Sequence, residues 1–332
     1  MKKKLSIVIV SYNEAEYLRK AIDSCLNIKF NMEYEIIIGD DGSNDESIHI
    51  IKEYVCKYSD RIKAFVMKRD ASQDVIASLR VSNVIKTAFS MAEGDYFIIM
   101  SADDYYCDEC FFERAIRYLD KNKTFVAYIS NFKLVWDTKE EFYPVYKFSP
   151  TTFFGTHSYT HISTIIFRRT VYDDNKLLDR FCDDVGLTYS IACSGEWHFE
   201  NNTTFCYRQR KGSIMDRIKK DKLQNNIVEL LLLQDMLNAK KMKLQVLAYS
   251  CDPLWYVFSM RKELVKKQEK YKKYIRNARK YDSNVLSMII EFDERGLCVN
   301  NIKLFAIMIV SKLMQSTYNA LKYLLKKRKV NI

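Results

Sequence analysis

Residues 98–106 read Ile-Ile-Met-Ser-Ala-Asp-Asp-Tyr-Tyr, an apolar run that stops at two adjacent carboxylates, Asp103 and Asp104. A β-branched run ending this abruptly predicts a buried strand with hard anionic groups at its mouth, where ligands of open α/β sheets collect. Two other runs share the pattern. Leu5 to Val10 leads into Ser11-Tyr12-Asn13-Glu14, and Glu35 to Gly39 leads into Asp40-Asp41-Gly42-Ser43. Strands that end in polar or acidic residues at one edge of a parallel sheet predict a composite site.

The intervening segments have helical periodicity. Glu14 to Asn27 sets Ala15, Leu18, Ala21, Ile22, Cys25 and Leu26 at helical steps, Asp45 to Tyr58 reads as a second helix, and Ser78 to Ala92 as a third, stopped by Gly94. Lys63 to Lys68 and Tyr96 to Met100 complete four strands in a strand–helix alternation, which predicts an α/β fold with a doubly wound beginning. A helix should start near Glu109, and Phe125 to Ile129 and Ile162 to Phe167 read as further strands. With three Pro and eight Gly in the chain, no linker is evident before residue 210; after Ser213 the pattern turns helical. The expected organisation is therefore an α/β domain over residues 1–213 and a helical extension over 214–332.

Composition narrows the function classes. At 332 residues and 48% hydrophobic, the chain can bury a full core. Its nine cysteines are scattered, and Cys107-Asp108-Glu109-Cys110 has no second pair and no histidine at zinc-finger spacing, so reduced thiols in a cytoplasmic protein fit best. The apolar run after the N-terminal lysines is too short for a signal-peptide core, and no segment approaches the ~20 apolar residues needed to cross a bilayer. Net charge is +11, with much of the excess after residue 208, as in Lys262 to Lys280 and Lys326-Lys327-Arg328-Lys329. No nucleic-acid recognition motif accompanies that charge, so an anionic membrane surface at the inner face of the cell membrane is the preferred partner.

Each acidic element has two readings. In Asp40-Asp41-Gly42-Ser43 a carboxylate can accept a hydrogen bond from a base or ribose, with Gly42 permitting a tight turn, or Asp and Ser can simply cap the next helix. Asp103-Asp104 suits Mg²⁺ or Mn²⁺ bridging a diphosphate, or a capped turn. Asp183-Asp184, ahead of a helix-like stretch, offers a general base or an acidic helix N-terminus.

Taken together these residues resemble the family 2 inverting glycosyltransferases of the GT-A fold. The likeness rests on Ile7-Val8-Ile9-Val10-Ser11-Tyr12-Asn13-Glu14, on Ile36-Ile37-Ile38-Gly39-Asp40-Asp41-Gly42-Ser43-Asn44-Asp45, and on Ala92-Glu93-Gly94-Asp95-Tyr96 leading to Ser101-Ala102-Asp103-Asp104. It covers residues 4 to about 115 strongly and runs more weakly to about 215. The resemblance implies a Rossmann-like, mostly parallel central sheet flanked by helices, here with a C-terminal helical extension. It implies that Asp41 binds the uracil of a UDP-sugar, that Val10, Ser11, Tyr12 and Glu14 line the nucleotide pocket, and that Ser101, Ala102 and Asp103 lie against the donor. Asp103, with Asp104 beside it, would hold Mn²⁺ or Mg²⁺. Ser101 stands where the family's metal motif commonly has its first acid. Asp184 falls on the catalytic base, Arg80, Asn83 and Lys86 lie near the family's Arg-Asn pair, and Tyr207-Arg208-Gln209-Arg210-Lys211-Gly212-Ser213 on a basic segment able to close over phosphates.

The activity so implied is transfer of a sugar from a nucleotide-sugar donor to a glycan or lipid-linked acceptor hydroxyl with inversion, in bacterial surface-polysaccharide synthesis. The alternatives are an inactive scaffold of the same fold, which Ser101 would encourage, and a metal-dependent nucleotidyltransferase, which the lack of glycine in Ser11 to Glu14 disfavours. Ile302 to Leu325 suits an interfacial helix or packing on the catalytic domain or on a second copy. His49 is expected to be exposed or half-buried, His157 and His161 to approach the acceptor or serve structure, and Trp136, Trp197 and Trp255 to stack on a sugar or fill core.

Overall fold

The computed structural model describes residues 3–69, 77–145, 160–174, 184–192 and 194–210, and beyond them 223, 226–227, 230, 254–266, 288–289, 292, 304–313 and 315–316. The chain divides into two compact units, 1–210 and 211–332.

In the first unit the strands are β1 (Leu5–Ser11), β2 (Tyr34–Asp40), β3 (Ile62–Val66), β4 (Tyr96–Ser101), β5 (Tyr105–Tyr106), β6 (Phe125–Val135), β7 (Glu140–Tyr143), β8 (Ile165–Arg168) and β9 (Glu196–Arg208). The helices are α1 (Ala15–Leu26), α2 (Ser47–Lys57), α3 (Ala77–Met91), α4 (Phe111–Lys121), α5 (Arg169–Asp174) and α6 (Asp184–Ala192). All nine strands form one sheet in the order β3-β2-β1-β4-β8-β6-β9-β5, with β7 paired to β6.

The first four strands are mutually parallel, and their order places β1 between β2 and β4. The connection after β1 turns toward β2, and the chain later returns to the other side of β1 as β4. The carboxyl ends of β1 and β4 therefore flank the point where strand order reverses, the crevice in which such sheets bind ligands. The other half is mixed: β8 is antiparallel to β4 and to β6, β9 is parallel to β6, and the short β5 is antiparallel to β9.

The parallel strands are covered on both faces, which is why they read as continuous apolar runs rather than alternating ones. Every residue of β2 is buried, and β4 is buried up to Met100. On one face α1 contributes Leu18, Ala21, Ile22 and Cys25, and α4 contributes Phe111, Phe112, Ala115, Ile116 and Leu119. Each such aromatic or aliphatic side chain contributes about 1.5–3 kcal/mol by burial. Phe89 of α3, Phe97 of β4, Phe167 of β8 and Tyr172 of α5 form a separate edge-to-face cluster, with ring centroids 4.9–6.2 Å apart.

At the amino end of the sheet a buried carboxylate joins the strands. Glu35 accepts hydrogen bonds from Ser6 Oγ (2.8 Å) and Glu93 N (2.6 Å), and pairs with Lys63 Nζ at 3.0 Å. Gly94 N donates to Ser6 Oγ at 2.9 Å, an approach so close that a Cβ at Gly94 would stand 2.6 Å from the Ser6 backbone nitrogen.

The expected first four strands, three intervening helices and the helix after Glu109 are all present, with ends within a few residues of those read from the sequence. Two details differ in the second half. Phe125 to Ile129 opens a strand that continues to Val135, and Ile162–Thr164 is a 3-10 turn leading into β8 rather than part of it. Of the second unit, residues 254–259, Arg261–Lys266 (α7) and 304–313 are helical.

Replacing Gly94 by Ala is expected to destabilise the protein by about 1–3 kcal/mol, because the added carbon meets backbone that cannot yield. Urea unfolding measures it, and an unchanged midpoint would show that β1 and β4 are not so tightly apposed.

Candidate active site

Register brings the site together. Ser11 of β1 is level with Asp40 of β2, and Val10 is level with Ser101 of β4. Just past the strands, Asp41 N donates to Ser11 O (2.8 Å) and Ala102 N to Val10 O (2.9 Å). Val10, Ser11, Asp41, Ser101 and Ala102 thus lie along one sheet edge.

The two aspartates after β2 do different work. Asp40 is buried and builds the turn: its Oδ1 accepts from Ser43 N (2.7 Å) and its Oδ2 from Ser43 Oγ (2.6 Å), across Gly42 at φ 74°. Ser43 Oγ in turn accepts from Asn13 N (2.8 Å), and Asn13 Oδ1 from Asn44 N (2.9 Å), which bolts the loops after β1 and β2 to each other. Asn13 itself sits at φ 54°, a left-handed conformation that Asn tolerates. Neither Asp40 nor Asp41 caps α2; Asp45, one residue before the N-cap Glu46, accepts from Ser47 N at 3.0 Å.

Asp41 is left for another partner. Arg80 Nε lies 2.6 and 2.7 Å from its two carboxylate oxygens, and Arg80 Nη2 is 2.5 Å from Oδ1. Arg69 Nη1 approaches Oδ2 at 3.7 Å while its guanidinium stacks 3.6 Å over the Tyr12 ring. Tyr12, Asp41, Arg69 and Arg80 thus cluster at the ends of β1 and β2, with two guanidiniums around one carboxylate. An aromatic–guanidinium wall beside a carboxylate acceptor suits a planar heterocycle that carries an N–H donor.

A second cluster lies at the end of β4. Asp104 is buried, and its Oδ1 accepts from the backbone N–H of Arg208 at 2.8 Å, while Oδ2 has no hydrogen-bond partner. Arg208 Nε donates to Asp103 O at 2.7 Å, and its guanidinium lies 4.6 Å from the Tyr17 ring centroid. Arg210 Nε donates to Asp103 Oδ2 at 3.1 Å and its Nη2 grips Glu14 Oε1. Glu14 and Asp103, from the loops after β1 and β4, are thereby held by one guanidinium from the end of β9.

Burial and mutual repulsion govern these acids. Glu14 is pushed up to about 7, first by burial and then by the Asp103 charge, with Arg210 opposing. Asp104 is raised well above the usual carboxylate range by burial and by Asp103, against the Arg208 N–H. Tyr207 is raised to about 12 by burial and then by Asp104 and Asp103, and the Asp184 charge reaches it too. Asp184 is exposed at the first position of α6.

These oxygens fit a hard divalent cation. Asp103 offers a carboxylate at the crevice, Asp104 Oδ2 and Glu14 Oε2 are buried oxygens without donors, and a cation would relieve the repulsion among the three. No group of three or more His, Cys, Asp or Glu is clustered for metal among the described residues, so most of the coordination would fall to diphosphate and water.

A family profile decides the assignment: the one described as Glycosyl transferase family 2 matches residues 6–175, just over half of the chain. The chain belongs to glycosyl transferase family 2. The family 2 match takes in β1 through α5, and with it Glu14, Asp41, Asp103 and Asp104. Among curated relatives, the chain is 33% identical over 104 residues to the undecaprenyl-phosphate 4-deoxy-4-formamido-L-arabinose transferase of Proteus mirabilis, covering 30% of this chain and 29% of that one. It is 33% identical over 103 residues to the poly(ribitol-phosphate) beta-glucosyltransferase of Bacillus spizizenii, covering 31% and 15%. Such matches span about a third of the relatives' own length or less. The fold is shared with S. aureus TarS 1-349, solved in complex with UDP-GlcNAc (TM-score 0.57, 15% identity, 96% of this chain and 92% of that one), and with a Pyrobaculum calidifontis mannosyltransferase solved with GDP-Man and Mn²⁺ (TM-score 0.52, 12% identity, 95% and 87%). These neighbours are GT-A glycosyltransferases, and the sheet described above is the GT-A sheet.

Within this family 2 domain the structure places Val10, Tyr12, Glu14, Asp41, Ser101, Ala102, Asp103 and Asp104 at one edge. Asp183 and His157 lie outside the described residues. His161 is packed against Phe205 and Tyr207, with Nδ1 accepting from Ser163 N at 3.3 Å, and burial lowers it to about 4, so it is a neutral structural histidine. His49 is exposed beside Glu53, and Trp197 fills core, donating to Ile191 O. Sequence reasoning passed over the pairing of Arg80 with Asp41 and the clamp made by Arg208 and Arg210. The signal for the second was their i, i+2 spacing on an extended segment, which sends both side chains to one face.

Glu14 gives a pH signature. Its carboxyl is raised from 4.5 to about 7 in the fold, so the folded state binds the extra proton across that interval and stability falls as pH rises from about 4.5 to about 7. Glu14→Gln is expected to flatten this slope, worth at most a few kcal/mol, when denaturation midpoints are compared at the two ends of the interval. Parallel slopes in both proteins would show that Glu14 is ionised throughout.

Proposed function

We propose that this chain moves a sugar from a UDP-linked donor to an acceptor hydroxyl with inversion at the anomeric carbon, in the synthesis of a cell-surface polysaccharide. The observation that carries the proposal is the pairing, across the strand-order reversal, of the Tyr12–Arg69–Asp41–Arg80 group with the Glu14–Asp103–Arg210 cluster. One end suits a planar base and the other a charged diphosphate, in the order a nucleotide sugar requires. One structural neighbour was solved with UDP-GlcNAc and the other with GDP-Man, and the two relatives are an undecaprenyl-phosphate 4-deoxy-4-formamido-L-arabinose transferase and a poly(ribitol-phosphate) beta-glucosyltransferase. These support a nucleotide sugar on one side and a glycan or lipid-linked saccharide on the other.

In this reading Asp41, neutralised by Arg80, keeps lone pairs for an N–H of the base, and the Tyr12 ring with Arg69 above it forms a wall of the base pocket. Asp103 and Asp104 would hold Mn²⁺ or Mg²⁺, which when bound supplies charge neutralisation to the departing diphosphate. Arg208 and Arg210 bring fixed positive charge to the same place, so negative charge developing on the leaving group meets donors already in position. Asp184 heads α6, and its exposed carboxylate is the group this reading assigns to accept the proton. The acceptor oxygen bonds to the anomeric carbon as the bond from that carbon to the diphosphate oxygen breaks. The hydroxyl proton passes to Asp184, and the electron pair leaves with the nucleoside diphosphate.

Incubation with a panel of nucleotide sugars and Mn²⁺, with release of free nucleoside diphosphate as the readout, tests the proposal. UDP-sugars are expected to turn over, and Asp184→Asn to lower kcat by about 10²–10⁴-fold with donor KM little changed. Asp41→Ala is expected to raise donor KM about 10–100-fold, the loss of a hydrogen bond to a charged group. Binding of UDP without turnover of any donor would favour a scaffold, and turnover with GDP-sugars alone would refute the assignment of the base.

A further inference from the structure

Among the described residues the large exposed hydrophobic side chains number six, and three of them, Ile309, Val310 and Leu313, belong to one helix. Residues 304–313 are helical, with Leu304, Met308 and Ser311 fully buried on one face. On the opposite face Ile309 is 57% exposed, Val310 38% and Leu313 61%, and Ala306 is exposed one turn earlier. The spacing 306, 309, 310, 313 is a single helical stripe. An exposed Leu, Ile or Val standing alone needs no explanation, but three in one stripe mark a surface that meets something apolar.

The charge of the same unit says what that is. Residues 211–332 hold 26 of the 53 Lys and Arg but only 11 of the 42 Asp and Glu, a net of +15. Residues 1–210 hold 27 basic and 31 acidic residues, a net of −4. The whole basic excess of the chain therefore belongs to the unit that carries the apolar stripe. Exposed Lys312 lies within the stripe's own turns, and Lys322, Lys326, Lys327, Arg328 and Lys329 follow it in sequence. A second copy of the chain would bring another +15 against this face, and nucleic acid offers phosphate but no apolar layer for aliphatic side chains. An anionic bilayer offers both phosphate charge and hydrocarbon.

We propose that the stripe on residues 306–313 is a docking face for an anionic lipid bilayer, drawn to it by the basic charge that the sequence concentrates in residues 211–332, and that the chain lies on the bilayer without crossing it. No helix among the described residues is long and apolar enough to span. The stripe alone buries too little to anchor a protein, and the basic segment alone is screened by salt, so the two signals act jointly. This inference rests on the second unit and stands whether or not the donor reading holds.

Co-sedimentation of the full chain with vesicles tests it. With phosphatidylcholine vesicles containing about 30 mol% phosphatidylglycerol, most of the protein is expected in the pellet at about 0.1 M NaCl, and pure phosphatidylcholine is expected to bind at least tenfold less. Ile309→Ser/Val310→Ser and, separately, replacement of residues 326–329 by Ala are each expected to lower binding to the anionic vesicles by about tenfold or more. Unchanged helicity by circular dichroism and an unchanged thermal unfolding midpoint would show that the variants fold. Equal binding to both vesicle types, or to neither, overturns the proposal. So does a fall in oligomeric mass on Ile309→Ser/Val310→Ser, which would make the stripe a subunit contact, or binding to duplex DNA in preference to vesicles.

Discussion

Because β1 is hydrogen-bonded in parallel to β2 on one side and to β4 on the other, three loops leave the sheet at the same height. Carboxylates from those loops, Glu14, Asp41 and Asp103, are thereby brought into the crevice where strand order reverses. The fold answers their charge with arginines carried by later elements: Arg80 from α3 for Asp41, and Arg210 from the end of β9 for Glu14 and Asp103. Everything the site can do follows from that arrangement of acids at strand ends and guanidiniums above them.

The two halves of the sheet divide the labour. The parallel half supplies the backbone edge and the acids, and it is rigid because both of its faces are covered by helices and because Glu35 and Gly94 lock the strands at the far end. The mixed half supplies what sits over that edge. β9 pairs with β6 through three register irregularities within residues 125–132 and reaches the crevice with Arg208. Its N–H meets Asp104, which ties the last strand to the end of β4. Asp104 therefore has one oxygen in structural service and is buried, while Asp103, held by Arg210, is the more exposed of the pair. Arg210 is the group best placed to exchange a carboxylate partner for a phosphate one.

Much of the first half was legible beforehand. Buried parallel strands need continuous apolar runs, and the helices between them need a 3.6-residue stripe, so Leu5 to Val10, Glu35 to Gly39 and Ile98 to Met100 announced themselves. β9 did not: Asn201 and Asn202 interrupt its apolar pattern, yet the structure carries the strand through them. The residues alone left Asp40 and Asp41 alike and only the family resemblance singled out Asp41; the hydrogen bonds around Gly42 show that Asp40 builds the loop while Asp41 pairs with Arg80.

The sequence by itself determined the family, the α/β class, the strand-end placement of Glu14, Asp41, Asp103 and Asp104, and the concentration of basic charge after residue 210, because all of these are properties of local pattern. Only the tertiary structure decided which guanidinium neutralises which acid, that Asp104 anchors β9, that His161 is a half-buried residue packed on Phe205 and Tyr207, and that Ile309, Val310 and Leu313 share an exposed stripe. Those facts depend on contacts between residues far apart in the chain, such as Glu14 with Arg210, and no local pattern encodes them.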